Sequence, residues 1–147
     1  MKTNVHNFLN LKYFFLLFLL NLNCNSEDDF LSCIPNPTVN IQIDINLPAY
    51  SALQSAAGWV YVDAALAGNK GLIVVNTGTA YKAYDRNAPH ICPTNNTTLI
   101  VENSLTLLCP QDNAKWILTT GQPVAVAGRS PRTYFVSKNG SILNISN

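Results

Sequence analysis

Apolar and polar residues alternate at every position from Val39 to Leu47. In an extended strand this alternation places the apolar side chains on one face and the polar side chains on the other. Pro48 follows, and we expect it to end the strand because proline has no N–H to give to a neighbouring strand. The pattern therefore predicts a strand that buries one face and leaves the other in water.

Short apolar runs continue through the rest of the chain, and glycine, asparagine or proline separates most of them. The runs occupy residues 59–62, 72–75, 81–84, 98–101, 105–108, 116–118, 134–137 and 142–145. Asn139-Gly140, between the last two runs, is a dipeptide typical of a two-residue β-hairpin. No segment keeps a helical apolar period over three turns. Many short strands at close spacing favour an all-β fold, either a small sandwich or a small barrel.

The N-terminal 23 residues have a different pattern, which is typical of an export signal. Lys2 and Lys12 precede a continuous apolar run of eight residues at 13–20, and Cys24 follows it closely. A helix of that length cannot cross a hydrocarbon core of about 30 Å at about 1.5 Å per residue. The layout predicts a lipoprotein signal peptide at 1–23 with Cys24 as the lipidated residue. The alternative is an ordinary cleaved signal, with Cys24 as one half of a disulfide.

The residues after Cys24 are acidic in a chain that is otherwise nearly neutral. They read NSEDD at positions 25–29. This segment resembles the tether that follows the lipidated cysteine in surface-exported lipoproteins of Bacteroidetes-type bacteria. The resemblance implies a lipidated cysteine and tether at 24–37, a folded domain at 38–147, and attachment to the outer membrane of the cell envelope through the lipid. Such a protein would be exposed on the cell surface or face the periplasm, with an unknown protein as a further partner.

Length and charge exclude several classes of protein. The chain has 147 residues, which is room for one domain, and nine Lys and Arg against eight Asp and Glu. Without a basic stripe to neutralise phosphates, we predict no nucleic-acid partner. Apolar residues make up 48% of the chain, which is enough to bury a core and argues against disorder. Four cysteines are compatible with one disulfide or one small metal site.

Two proline-containing loops carry the residues that are the best candidates for binding a metal or for catalysis. Ala88-Pro89-His90 lies in the first and Cys109-Pro110-Gln111-Asp112 in the second, with eighteen residues between His90 and Cys109. This arrangement resembles the Rieske [2Fe–2S] domain, in which Cys-x-His and Cys-x-x-His flank a hairpin. The resemblance extends over roughly residues 39–145. It implies a small all-β Rieske-like sandwich or barrel in which two ligand loops flank a β-hairpin.

The four cluster positions of that pattern fall on Ala88, His90, Cys109 and Asp112. In a Rieske centre two cysteines hold one iron and two histidines hold the other. Ala88 has no ligand atom, and Asp112 offers oxygen where an imidazole is expected. We therefore expect vestigial positions and no cofactor. The alternative is an atypical [2Fe–2S] cluster, with Asp112 as a ligand or with Cys92 in place of Ala88.

The remaining cysteines leave several pairings open. A disulfide between Cys92 and Cys109, in the two loops that a Rieske fold brings together, would close a loop of about 18 residues and stabilise the fold by about 3 kcal/mol. Alternatively, Cys33 pairs with one of them, or all three stay reduced. If Cys24 is lipidated, at least one of the other three cysteines must remain unpaired.

Two further chemistries fit the same loops. His90 and Asp112 could form a proton-transfer pair that activates Cys109 as a nucleophile. They could also bind one Zn²⁺ together with Cys92 or Cys109, although no CxxC or HxxxH spacing supports a zinc site. We expect Trp116 and residues 134–135 to be core or interface aromatics rather than a sugar-binding platform.

The sequence thus predicts a membrane-anchored Rieske-like lipoprotein that is not an enzyme. Its expected role is that of a binding, structural or accessory domain that has lost its cluster. The alternative is an electron-transfer protein with an atypical Rieske-type [2Fe–2S] cluster.

Overall fold

The computed structural model of the chain describes residues 33–147. The predicted signal peptide, the predicted lipidation site Cys24 and the first part of the tether lie outside the described residues. No helix within residues 33–147 is both long and apolar enough to cross a membrane.

Ten strands form most of the regular structure in this part of the chain. In chain order they are β1 Asn40–Asp44, β2 Trp59–Val62, β3 Leu72–Asn76, β4 Tyr81–Asp85, β5 Ile100–Glu102, β6 Thr106–Leu108, β7 Lys115–Ile117, β8 Pro123–Ala125, β9 Thr133–Asn139 and β10 Ile142–Ser146. Two short 3-10 helices, Pro48–Gln54 and Asn95–Thr97, connect them. The predicted all-β fold is confirmed.

The first strand follows the predicted alternation but ends earlier than predicted. Ile43 and Ile45 are buried, and their polar neighbours face outward. The strand stops at Asp44 because the carboxylate of this residue accepts a hydrogen bond from the N–H of Asn46, 2.9 Å away, and so turns the chain. Leu47, the last apolar residue of the pattern, is therefore exposed beyond the strand.

Six antiparallel strands form a large sheet in the order β1-β10-β9-β4-β3-β2. The first and last strands of the described domain are neighbours in this sheet, with Ile43 opposite Leu143. One face of the sheet buries the first hydrophobic core. Its members include Val39, Ile43, Ile45, Leu53, Val62, Leu72, Val74, Ala83, Tyr134, Leu143 and Ile145.

Four antiparallel strands form a small sheet in the order β5-β6-β7-β8. A second core lies between this sheet and the opposite face of the large sheet. Ile73 and Tyr84 contribute to it from β3 and β4, and Leu107 and Trp116 contribute from the small sheet. The small sheet therefore covers the β2–β4 half of the large sheet.

Two hairpin turns agree with the turn signals in the sequence. Strands β9 and β10 pair Asn139 with Ile142, so the predicted hairpin is confirmed. Its two central residues are Gly140, at a φ of 59°, and Ser141, one residue later than the predicted Asn139-Gly140, and Asn139 ends β9. In the β5–β6 hairpin, Asn103 and Ser104 both have positive φ, 52° and 56°. Two successive positive φ values match the right-handed twist of the flanking strands.

The β5–β6 hairpin lies between two loops. Residues 86–99 form the first loop, between β4 and β5, and residues 109–114 form the second, between β6 and β7. The topology therefore agrees with the predicted Rieske-like all-β arrangement, in which two loops flank a β-hairpin.

Candidate functional site at the two loops

A buried carboxylate fixes the start of the first loop. Asp85, at the end of β4, accepts hydrogen bonds from the backbone N–H and the side-chain amide of Asn87, at 2.7 and 2.8 Å. The hydroxyl of Tyr134 donates to its other oxygen, 2.8 Å away. Burial raises the pKa of Tyr134, and the hydrogen bond to Asp85 raises it further, so the hydroxyl remains a donor. These contacts set the direction in which Ala88 and His90 leave the sheet.

The second loop is a tight turn that orients Asp112. The N–H of Cys109 donates to the carbonyl of Ala114, and the N–H of Asn113 donates to the carbonyl of Cys109, both at 2.9 Å. Asn113 has a φ of 62°, a conformation that asparagine tolerates better than most residues. One oxygen of Asp112 accepts the N–H of Ala114 at 3.1 Å. The other oxygen is thereby directed toward the first loop.

His90 and Asp112 join the two loops directly. Nε2 of His90 lies 2.6 Å from Oδ2 of Asp112, and the two side chains are 20% and 25% exposed. The hydroxyl of Thr94 also donates across the loops to Oε1 of Gln111, at 3.0 Å. The imidazole ring lies 5.6 Å from the ring of Trp116, and its Nδ1 is buried without a hydrogen-bond partner.

The hydrogen bonds of Asp112 outweigh the effect of its burial. Burial alone would raise the pKa of this carboxyl group. The hydrogen bonds from His90, from the N–H of Ala114 and from the thiol of Cys109 together hold the pKa below its usual value. Asp112 is therefore a carboxylate at neutral pH, facing the Nε2 atom of His90.

Cys109 is a fully buried thiol. Burial raises its pKa, and the hydrogen bond to the Asp112 carboxylate raises it further, although the backbone N–H groups of Gln111 and Asp112 act in the opposite direction. A reactive cysteine needs a lowered pKa and access to its substrate. The environment of Cys109 has the opposite properties from those of an activated nucleophile.

The suggested disulfide between Cys92 and Cys109 is wrong. Cys33 and Cys92 are bonded instead, with Cα atoms 5.5 Å apart, and Cys109 is a free thiol. The reason is the direction of the two side chains: Cys109 points into the second core, whereas Cys92 lies on the exposed outer side of the first loop. Arg132, which directly precedes β9, holds the residues after Cys33 at a second point, because its Nη1 donates to the carbonyl of Pro35 at 2.7 Å.

The donor set at the predicted cluster positions is incomplete. Ala88 is buried in the second core and offers no ligand atom, and Cys92 cannot replace it because its sulfur is in a disulfide. Three donor side chains remain, on His90, Cys109 and Asp112. Within residues 33–147, no three or more His, Cys, Asp or Glu side chains are arranged to hold a metal ion. These residues do not fit a cluster that takes four protein ligands, nor the zinc site considered above.

Sequence reasoning missed the residues that support the first loop. Asp85, Asn87 and Tyr134 form a buried polar network directly beneath it. An Asp-x-Asn sequence at the end of a strand is typical of a turn in which the carboxylate accepts a backbone N–H two residues later. This local signal could have identified Asp85 and Asn87 from the sequence. Tyr134 could not be identified in this way, because it reaches Asp85 only through the pairing of β4 with β9.

No protein-family model matches the chain, and no curated protein matches it. The fold is similar to the ferredoxin of carbazole 1,9a-dioxygenase from Nocardioides aromaticivorans IC177, with 17% sequence identity and a TM-score of 0.47. That alignment covers 74% of this chain and 97% of the ferredoxin. It is also similar to a protein described as the small subunit of an NADPH nitrite reductase, with 12% identity and a TM-score of 0.41. The second alignment covers 73% of this chain and 99% of that protein.

Proposed function

We propose that this chain is a Rieske-like domain that has lost its [2Fe–2S] cluster and serves as a non-enzymatic binding, structural or accessory domain. The observation that carries the proposal is the direct contact between His90 and Asp112, whose nearest side-chain atoms are 2.6 Å apart. These residues occupy two of the four positions that hold the cluster in the Rieske pattern. Here they bind each other.

The distance between Nε2 of His90 and Oδ2 of Asp112 is too short for both atoms to bind the same metal ion in this arrangement. Two ligands of one metal, each about 2 Å from it in a tetrahedral site, stand more than about 3 Å apart. His90 and Asp112 are closer than that. A charge-assisted hydrogen bond of this kind contributes about 1.5 kcal/mol or more. It therefore connects the loops in the place where a cluster would otherwise do so.

The state of the sulfur atoms supports the same proposal. One iron of a Rieske centre requires two thiolates. Cys109 is the one free thiol among residues 33–147, and Cys92 is held in the disulfide with Cys33. A buried thiol with a raised pKa also supports a role without nucleophilic catalysis.

Membrane attachment through Cys24 belongs to the proposal as well. It rests on the signal pattern of residues 1–23 and the acidic segment that follows. If Cys24 carries the lipid, Cys24→Ser should leave the protein unprocessed or release it from the membrane fraction. Unchanged membrane attachment of this variant would contradict the anchor without affecting the proposal for the loops.

Iron analysis of the full-length chain, purified without oxygen, tests the loss of the cluster. We expect a colourless, folded protein without iron and without a Rieske-type EPR signal. About two irons per chain with such a signal would overturn the proposal and make electron transfer the working function. It would also require Asp112 in the ligand set and, as a fourth ligand, Cys92 released from its bond to Cys33.

A double variant provides a matched control. Ala88→Cys with Asp112→His restores the full Rieske ligand pattern on the same two loops. Acquisition of iron and a visible chromophore by this variant alone would attribute the loss to these two positions. The Asp112→Asn variant, which changes the contact without adding ligands, should remain free of iron.

A further inference from the structure

One half of the large sheet has an outer face that no other element of the described domain covers. Tyr84 of β4 is buried in the second core, and its partner in register is Thr133 of β9. Because side chains alternate along a strand, Phe135 and Ser137 lie on the same side as Thr133. The small sheet covers β2–β4 on this side but leaves β9, β10 and β1 open to solvent. We call this open surface the amide face.

Seven of the ten residues of the amide face are uncharged and polar. Four carboxamides, three hydroxyl groups, two apolar side chains and one carboxylate share it. Its members are Asn40, Gln42 and Asp44 of β1, Ile142, Asn144 and Ser146 of β10, and Thr133, Phe135, Ser137 and Asn139 of β9. Exposed sheet surfaces usually carry interspersed lysine and glutamate, which also protect edge strands such as β1 from pairing.

Most of the polar groups on this face are available to an outside partner. Gln42 donates to Oδ1 of Asn144 at 2.8 Å, which also fixes the orientation of both amides. The side chains of Asn40, Ser137 and Ser146 make no hydrogen bond to the rest of residues 33–147. A carboxamide offers two donors and an acceptor, and a hydroxyl offers one donor and two acceptor lone pairs. The face is therefore a regular array of groups that both donate and accept.

Phe135 is the large apolar side chain on this array and is 69% exposed. The sequence predicted a core or interface position for Trp116 and for residues 134–135. Tyr134 and Trp116 are buried, whereas Phe135 is not part of a core. A single exposed ring is ordinary on a protein surface. Here the ring stands on β9 among uncharged polar groups, where it can stack against an apolar surface of a polar ligand.

We propose that the amide face binds a neutral polysaccharide. Such a chain is complementary to the face because it carries no charge, presents hydroxyl groups that both donate and accept, and exposes C–H surfaces of its rings to an aromatic side chain. The face has no cation for the phosphates of nucleic acid. Its apolar area, limited to Phe135 and Ile142, lacks the buried apolar centre that protein interfaces use. The inference is independent of whether the loops at His90 hold a cluster.

Affinity electrophoresis of the full-length chain tests the proposal. Native gels would contain a soluble neutral polysaccharide: mixed-linkage β-glucan, xylan, galactomannan or dextran. We expect at least one of them to retard the protein. Phe135→Ala should weaken that binding at least tenfold, Gln42→Ala should weaken it less, and Phe135→Trp should preserve it.

Leu105→Ala is the matched control, because Leu105 is 70% exposed on the β5–β6 hairpin, away from the amide face. This variant should bind as the native chain does, and circular dichroism should show that all four variants are folded. Absence of retardation by every polysaccharide would overturn the proposal, as would equal losses in Phe135→Ala and Leu105→Ala. A native dimer that Phe135→Ala converts to a monomer would also overturn it, because a second copy of the chain would then be the occupant.

Discussion

The hydroxyl of Tyr134 donates a hydrogen bond to the buried carboxylate of Asp85, 2.8 Å away, beneath the loop that carries His90. A buried charge that loses a hydrogen-bond donor is costly because no water replaces it. We therefore expect Tyr134→Phe to lower the free energy of unfolding by about 2 kcal/mol. Urea denaturation at neutral pH measures this change.

Tyr81→Phe is a control for that prediction, because the hydroxyl of Tyr81 donates to a neutral acceptor, the carbonyl of Leu53, at 3.2 Å. Loss of this bond should cost about 1 kcal/mol or less. Equal losses in the two variants would show that Asp85 does not depend on Tyr134.

Acid should weaken the connection between the two loops. The pKa of Asp112 is lower in the folded chain than its ordinary value near 3.8, so its ionised form stabilises the fold. This contribution is fully present above about pH 4 to 5 and is lost as the pH falls through the lower pKa of the folded state. Asp112→Asn should remove this part of the acid destabilisation. Unfolding free energies measured from pH 7 to pH 2.5 test the prediction.

A second carboxyl group titrates in the same range and serves as a comparison. The hydrogen bond from Lys115 lowers the pKa of Glu102, which lies on the surface of the small sheet. Exposed pairs of this kind contribute little to stability. Glu102→Gln should therefore leave the loss of unfolding free energy at low pH nearly unchanged. A larger effect than that of Asp112→Asn would contradict the attribution of this loss to Asp112.

Cys109 should be inert toward thiol reagents in the native protein. Its side chain is fully buried, so a reagent cannot reach the sulfur. Burial also raises its pKa, so little of the reactive thiolate is present. We expect one thiol in residues 33–147 to react with Ellman's reagent after denaturation, and none to react rapidly before it. Rapid modification of native Cys109 would reopen a nucleophilic role for this residue.

The disulfide should make a large contribution to stability. The Cys33–Cys92 bond spans a sequence separation of 59 residues. By chain entropy, a cross-link over a loop of this length contributes about 4 kcal/mol. Replacing both cysteines with serine should lower the free energy of unfolding by up to that amount. Non-reducing peptide mapping should recover Cys33 bonded to Cys92, and a peptide that joins Cys92 to Cys109 would contradict the structure.

Local sequence patterns predicted the strands whose side chains are buried on one face. They did not predict elements whose side chains are mostly exposed. The alternation around β1 and the Asn139-Gly140 dipeptide predicted those two elements, although β1 ends at Asp44 and the turn has Gly140 and Ser141 as its central residues. Strand β8, Pro123–Ala125, was not predicted because all three of its residues are exposed and so give no apolar pattern. The 3-10 helix Pro48–Gln54 is too short to establish a helical period, and its one buried residue is Leu53.

The candidate site was predicted in composition but not in geometry. The resemblance to Rieske domains implied that His90, Cys109 and Asp112 belong together, and the structure places the three in one cluster of hydrogen bonds. The distance between His90 and Asp112 depends on how the loops close around Asp85 and Ala114, which no local pattern specifies. The disulfide partner of Cys92 could not be deduced either, because connectivity depends on which side of the loop each sulfur faces.

The position of the Cys33–Cys92 bond has a mechanical consequence. Cys33 precedes the edge strand β1, and the bond attaches it covalently to the first loop, which β4 supports from inside the large sheet. Tension that enters through residues before Cys33 is therefore transmitted to Cys92 and β4, and it bypasses β1. With the bond intact, a pull on the N-terminus does not load the pairing of β1 with β10, whereas after reduction the same pull loads that pairing first.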